Sequence, residues 1–263
     1  MKRYWADYPT TAYDAIEAER TIAILPVAAV EQHGPHLPVG VDTIINQGLL
    51  ALLAERCPED LDIRILPVQA VGKSNEHLHA PGTLTLTAET ALRAWTEIGL
   101  SVARAGVRKM VIVNSHGGNV ELMGIVAREL RVQAEMLVAK AQWGATGMPE
   151  ALYSQEELAF GIHGGDVETS MMLHFRPDLV DMGAARDFRS TAQDMDNFAH
   201  LRPTGATAYG WMAHDLNAAG TVGNAAIATA EKGAETADHY VAGMIALLSD
   251  VAAFDLSRLG HAR

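Results

Sequence analysis

At 263 residues, with 49% apolar and 20% charged side chains, the chain has the make-up of an ordinary globular protein with a full core. Its net charge of −12 argues against nucleic acid or an anionic membrane as the main partner, and no uninterrupted apolar run approaches the roughly 20 residues of a membrane span. Cys57 is the only cysteine, so no internal disulfide forms, and the opening MKRYWADYPTT lacks the apolar segment of a signal peptide; both point to a cytoplasmic protein.

The first element is TIAILPVAAV (Thr21 to Val30), a short β-branched apolar run that reads as a buried strand. A helix is predicted from Asp42-Thr43 through LLALLAE, with Asp42 as N-cap. IRILPV (Ile63 to Val68) reads as the second strand. Thr87 caps a helix that runs through ALRAWTEIGLSVARAG and stops at Gly106. KMVIVN (Lys109 to Asn114) is a third strand. The turn SHGGN follows it, with Asn119 a candidate cap for a helix from Val120 to Arg131. MLVAKAQW (Met136 to Trp143) is a fourth strand, and a helix starts near Asp166. The last helix is expected over Ala225 to Val251, with Ala230, Ala234, Ala237, Val241, Ile245 and Leu248 on its apolar face.

Strands alternating with helices imply an α/β fold of three layers, a mostly parallel sheet with helices on both faces, in one domain over residues 1–263. In such sheets, sites form beyond the carboxyl ends of the strands. EQH, GKSNEHLH and NSHGGN each follow a predicted strand, so they are expected on one edge.

Glu31 and His33 are two apart in extended chain and point to one side. Pro35, Pro38 and Gly40 bend the chain so that Asp42 can return to the same spot. Mixed nitrogen and oxygen donors suit Zn²⁺, Mn²⁺ or Fe²⁺. For this segment alone a solvated loop is an equal alternative. His116 stands in a glycine turn after a strand, which also occurs without any ligand role. His163, Asp166 and Glu168 open a helix, where acids are favoured by the dipole alone. Ser74, Glu76, His77 and His79 form a polar loop fit to cover a pocket, with no metal role favoured for His77 or His79. Together, Glu31, His33, Asp42, His116 and Glu168 outnumber the ligands of one catalytic metal and suit two ions bridged by a carboxylate, about 3.5–4 Å apart.

In wording and order, EQHGPHLPVGVDT, EHxxxPGTLTL, NSHGGN, HGGDxETSMML and ATAEKG resemble the creatininase family of metal-dependent amidohydrolases, from about Thr21 to Ala234. The resemblance implies two divalent ions, Zn and/or Mn, with Fe in some members. It implies Glu31, His33, Asp42 and His116 as ligands, with Asp42 bridging. Creatinine-hydrolysing members carry a further glutamate ligand where this chain has Gly118; Glu168 is the expected replacement. His163 matches a histidine that moves a proton to the leaving nitrogen, with Glu168 beside it at the reacting centre. Ser74, His77, Gly117 and Gly118 are weaker candidates for substrate contact. His36 is expected to pack the loop rather than bind metal.

Gly117 and Ala159 replace a tyrosine and a tryptophan that enclose creatinine, so a different small substrate is expected. The expected reaction is hydrolysis of an amide, lactam or formamide C–N bond. Ring-opening C–C hydrolysis of a cyclic β-diketone-like sugar derivative and maturation peptidase activity are the alternatives, and a non-catalytic binding protein is a third. The family also implies a homo-oligomer, commonly a hexamer. Residues 183–220 are expected to form a lid or an intersubunit contact.

Overall fold

The computed structural model describes residues 2–260. Its centre is a four-stranded parallel sheet in the order β2-β1-β3-β4, made of β1 (Ile22–Val27), β2 (Ile63–Ile65), β3 (Lys109–Asn114) and β4 (Leu137–Gln142). β1 and β3 are buried throughout, which explains their unbroken apolar runs. One face is covered by α1 (Val41–Arg56), α5 (Asp166–Phe175) and α7 (Ala230–Ala253), through a core that includes Ile24, Leu49, Val111, Met172 and Val241. The other face carries α2 (Ala88–Arg104) and α3 (Val120–Ala134), packed through Leu25, Trp95, Ile112, Met123 and Val126. The three-layer α/β expectation therefore holds. None of the helices among the described residues is long and apolar enough to cross a membrane.

Chain order makes β1 and β3 the switch point. The chain leaves β1 over one face to reach β2, crosses the other face to reach β3 on β1's far side, and continues outward to β4. A crevice opens beyond the carboxyl ends of the two strands at such a point. Val27 stands level with Asn114 there, so the EQH and SHGGN segments leave the sheet side by side.

Among the element ends that differ from expectation, four have a clear local reason. β2 ends at Ile65, not Val68, because Pro67 has no N–H to give and Pro26 on β1 has none to offer across the ladder. Pairing resumes past both prolines, where Gln69 donates to the Pro26 carbonyl at 2.9 Å. Asp42 does not cap α1; Gly40 holds that position and Asp42 lies inside the first turn, buried. Asn119 does not cap α3 either, because its amide spans two loops, accepting from Lys73 N at 3.0 Å and donating to Ala28 O at 3.0 Å. α7 begins at Ala230, not Ala225, with Thr229 accepting from Lys232 N. Its buried stripe is Gly233, Thr236, Ala237, Tyr240, Val241, Met244, Leu248 and Val251, so Ala230 faces solvent and Ala234 and Ile245 only flank the core.

Thr87 caps α2 as expected, its hydroxyl accepting from Thr90 N at 3.2 Å. Thr87→Ala should lower stability by about 1 kcal/mol, measured by urea denaturation. An unchanged midpoint would show that the cap carries no stability.

Between α5 and α7 the described residues carry, besides α6 (Ala213–Leu216, a single turn) and short 3₁₀ turns, a two-residue antiparallel pair, β5 (Asp187–Phe188) with β6 (Gly223–Asn224); α4 (Gln155–Phe160) precedes α5. The His79 ring, exposed on the Glu76–His79 loop, lies 4.3 Å from the His214 ring on α6, so residues 183–220 reach the loops around the crevice.

Candidate metal centre

Two backbone pairings fix the first segment. Val30 bridges to Leu84, and Glu31 N donates to Val39 O at 2.8 Å, closing the EQHGPHLPV loop on itself. This loop returns the chain to the first turn of α1, where Asp42 meets His33; His33 Nε2 lies 3.8 Å from Asp42 Oδ2. His116 arrives from the end of β3, with Nδ1 3.1 Å from Glu31 Oε1 and 3.9 Å from Asp42 Oδ2. Glu168 arrives from the first turn of α5, with Oε2 3.8 Å from His33 Nε2. A left-handed turn at Gly164 (φ 67°) lets the Gly164 N–H reach Glu168 Oε2 at 2.5 Å and hold the carboxylate. The five side chains singled out in the sequence thus converge, and Glu31, His33, Asp42 and His116 are buried.

Their hydrogen bonds determine which atoms face inward. His33 Nδ1 donates to the Glu31 carbonyl at 3.0 Å, and His116 Nε2 donates to the Lys73 carbonyl at 3.0 Å. A neutral imidazole anchored by one N–H presents a lone pair on its other nitrogen. Both remaining nitrogens point at carboxylate oxygens, which have lone pairs of their own. Glu31 Oε1 and Oε2, His33 Nε2 and Asp42 Oδ2 are buried without a hydrogen-bond partner among the described residues. Buried acceptors aimed at one another repel unless something positive lies between them.

The titration of these groups reflects that conflict. Burial alone would lower the His116 pKa, but Glu31, with Asp42 and Glu76, drives it up to about 10, so a proton stands in for a cation. Burial works to raise the Glu31 pKa, yet His116, His163 and His77 outweigh it and hold it below the ordinary carboxylate range. Asp42 is pushed well above that range by burial and by Glu31, and Glu168 is raised by burial. Burial lowers His33 to about 4 and His163 to about 4, so both stay neutral at pH 7.

Two triads emerge, each with ligand atoms within 4.8 Å of one another: Glu31, Asp42 and His116, and His33, Asp42 and Glu168. Asp42 is common to both. Two further clusters include His163 or His77 with Glu31. The tautomer of His77 argues against a ligand role for it. Gln32 Oε1 accepts from Gly34 N at 2.9 Å, so its amide nitrogen donates to His77 Nδ1 at 2.8 Å and to the Gly220 carbonyl. His77 Nε2 must then carry the proton, so no lone pair faces Glu31 Oε1, which lies 3.4 Å away outside hydrogen-bonding geometry.

The chain's similarity to known proteins gives its family. A family model described as creatinine amidohydrolase matches residues 6–248. The chain belongs to the creatininase family. Over 199 residues it is 32% identical to the creatinine amidohydrolase of Pseudomonas putida, covering 70% of this chain and 74% of that one. Over 161 residues it is 34% identical to the mycofactocin precursor peptide peptidase of Mycolicibacterium smegmatis, a match that spans 60% of the peptidase's length and 60% of this chain. The manganese form of creatininase superposes with a TM-score of 0.74 at 25% identity, covering 97% of this chain and all of the other. A Zn–Zn creatininase variant superposes with a TM-score of 0.75 at 26% identity, covering 97% of this chain and 100% of the other. As a creatininase-family chain, this is a hydrolase at the level its relatives share.

The weaker sequence candidates fall in different places. Ser74 is fully buried behind His116, its Oγ 3.3 Å from the outer Nε2, and so meets the imidazole rather than open space. His77 is buried beside Glu31, not exposed. Gly117 borders open space, and Gly118 does not: a Cβ there would overlap Glu76 Oε1 and the Lys73 carbonyl oxygen and lie 2.5 Å from His116 Nε2. The His36 ring stacks on Phe188 at 5.4 Å and pairs with Thr169, a packing role.

Sequence reasoning missed Gln32 and Glu76 as members of the site. Glu76 Oε1 lies 3.5 Å from His116 Nε2, and Lys73 Nζ lies 3.1 Å from Glu76 Oε2. The signal for Gln32 was present, since it stands between two chosen residues; only the fold shows that it faces His77 and His163.

Proposed function

We propose that this chain is a two-cation amidohydrolase acting on a small, amide-like C–N bond, with Glu31, Asp42 and His116 holding one divalent ion and His33, Asp42 and Glu168 the other. The observation that carries the reading is the pair of buried triads that share Asp42 and leave four of their acceptor atoms without a partner. Zn²⁺ and Mn²⁺ suit the mixed imidazole and carboxylate donors. Bound there, two such ions supply Lewis acidity and a nucleophile at neutral pH.

The remaining work falls to the chain's own groups. His163 Nε2 donates to the Gln32 carbonyl at 2.7 Å, so its Nδ1 lone pair looks towards Glu31 Oε1, 3.7 Å away. As a neutral imidazole, His163 takes up a proton at Nδ1 and returns it to the leaving nitrogen. Gln32, His77 and His33 keep it in place, the two neighbouring rings lying 4.1 Å (His33) and 4.4 Å (His77) from it. Creatinine is not the expected substrate, because Gly117 and Ala159 provide none of the aromatic surface that would enclose it.

The test is a screen of metal-loaded protein against lactams, formamides and dipeptides, with metal content read by plasma emission. Two ions per chain and amine release are expected, and dipicolinate should abolish turnover. Ring opening without amine release would favour C–C hydrolysis instead. His163→Gln should lower kcat by about 10²–10⁴-fold with metal content unchanged; equal loss of metal would assign His163 to the ligand set. Because the metal-free chain holds a proton on His116, with its pKa raised to about 10, cation binding at pH 7 must release it. Affinity should therefore rise with pH, by up to about tenfold per unit. Calorimetry in buffers of different ionisation enthalpy reads that proton directly, and zero release would contradict the role of His116.

A further inference from the structure

A cavity of about 220 Å³ opens between the ends of β3 and β4, α4 and α7, and Glu168 lies on its wall. It therefore borders the second triad through that one residue. Pockets for drug-sized ligands run from ~300 to ~1,000 Å³, so this one has room for a single side chain and not for a nucleotide or a sugar phosphate. Its wall is built largely from Trp143, Met148, Leu158, Ile162, Met171 and Tyr240.

We infer that this cavity is the specificity subsite of the proposed hydrolase and that it takes one uncharged apolar or aromatic side chain of a peptide-like amide. The charge distribution excludes an anion. No Lys, Arg or His lines the cavity, and its two charged residues are both acids, Glu157 and Glu168. Glu157 is already satisfied: Oε1 accepts from Asp166 N at 2.7 Å and Oε2 from Asn224 N at 2.8 Å. A phosphate or carboxylate lodged against this wall would meet the Glu157 carboxylate and no cationic side chain.

The apolar wall is rigid on one side and adaptable on the other. Trp143 is buried, and its indole N–H is anchored to Asn46 Oδ1 at 3.1 Å, which fixes the ring plane. Met148 is a flexible thioether of the kind that reshapes around apolar ligands. The Tyr240 hydroxyl donates to Met148 Sδ at 2.9 Å, and sulfur is a weak acceptor that a substrate carbonyl or phenol oxygen can replace. Burial raises the Tyr240 pKa, so the hydroxyl remains a donor. Leu158 (40% exposed) and Ile162 (36%) form an apolar rim at the mouth.

This inference rests on the proposed hydrolysis for its meaning as a subsite, and the experiment separates the two. Metal-loaded full-length chain is assayed with X-Gly and Gly-X dipeptides, where X is Phe, Leu, Glu or phosphoserine. The same chain is titrated calorimetrically with N-acetylphenylalaninamide and N-acetylphosphoserinamide. Phe and Leu peptides should be turned over about tenfold or more faster than Glu or phosphoserine peptides. N-acetylphenylalaninamide should bind, and Met148→Trp, which fills the cavity, should weaken that binding at least tenfold. Binding that is sensitive to Met148→Trp, without turnover of any amide, would retain the subsite and remove the hydrolytic reading. Phosphoserine or Glu ligands bound as well as Phe, or a Met148→Trp variant that binds Phe like the parent, would overturn the subsite whatever the chemistry.

Discussion

Asp42→Asn should strip the protein of both cations and lower kcat/KM by about 10³-fold or more, roughly 4 kcal/mol of barrier, while leaving the metal-free chain at least as stable as its parent. The first half follows from sharing. Asp42 Oδ2 lies 3.8 Å from His33 Nε2 and 3.9 Å from His116 Nδ1, so the same carboxylate serves both triads. Glu168 serves only one, and Glu168→Gln should lose a single ion. The second half follows from burial. Asp42 is buried beside Glu31, and both burial and that neighbour raise its pKa in the folded chain. A carboxylate whose folded pKa exceeds its unfolded value of about 3.9 costs stability as pH rises through the unfolded value. Asparagine removes the charge and hence the penalty at pH 7. Metal stoichiometry by plasma emission and melting temperatures with and without EDTA check both halves. A variant that keeps two ions and its turnover would sink the shared-carboxylate arrangement, and one that melts far lower when metal-free would show that Asp42 is structural.

This opposition of function and stability also explains what could be read from the sequence. Glu31, His33, His116 and Glu168 were legible because each sits within a few residues of a strand end or a helix start, and the alternation of strands with helices predicts where those ends gather. Asp42 was legible as a ligand candidate but not as a non-cap: a carboxylate at a helix N-terminus looks the same in sequence whether it faces the backbone or a buried site. Gln32 and His77 were not legible as a pair, since their contact depends on a loop after β2 meeting the segment beyond the carboxyl end of β1. The cavity was invisible for a stronger reason. Trp143, Leu158 and Tyr240 come from β4's end, α4 and α7, and each alone is an ordinary apolar residue at core spacing. The end of β2 could have been read better, because Pro67 lay in plain view inside the predicted strand.

Gly118→Glu, which would introduce the glutamate that the family resemblance implies for creatinine-hydrolysing members, should destroy the site rather than convert it. The Glu76 loop is clamped to the 116–119 turn at two points: Lys73 N to Asn119 Oδ1 at 3.0 Å, and His116 Nε2 to Lys73 O at 3.0 Å. Any Cβ at 118 occupies the space of the Lys73 carbonyl and of Glu76 Oε1. The carbonyl is the acceptor that fixes the His116 tautomer, so displacing it frees the ring that completes the first triad. Overpacking of this kind costs about 1–3 kcal/mol, and at least one cation should be lost with it. Adding Glu76→Ala should not rescue the variant, because the clash with the backbone of Lys73 persists. Gly117→Ala, one residue earlier, meets nothing within 4 Å and should keep both cations. Metal content and melting temperature of the three variants decide the matter. Recovery in the double variant would mean that the Glu76 side chain, not the Lys73 backbone, is what position 118 must avoid. The glutamate of the relatives and the Glu76 loop of this chain would then be interchangeable ways of filling one space.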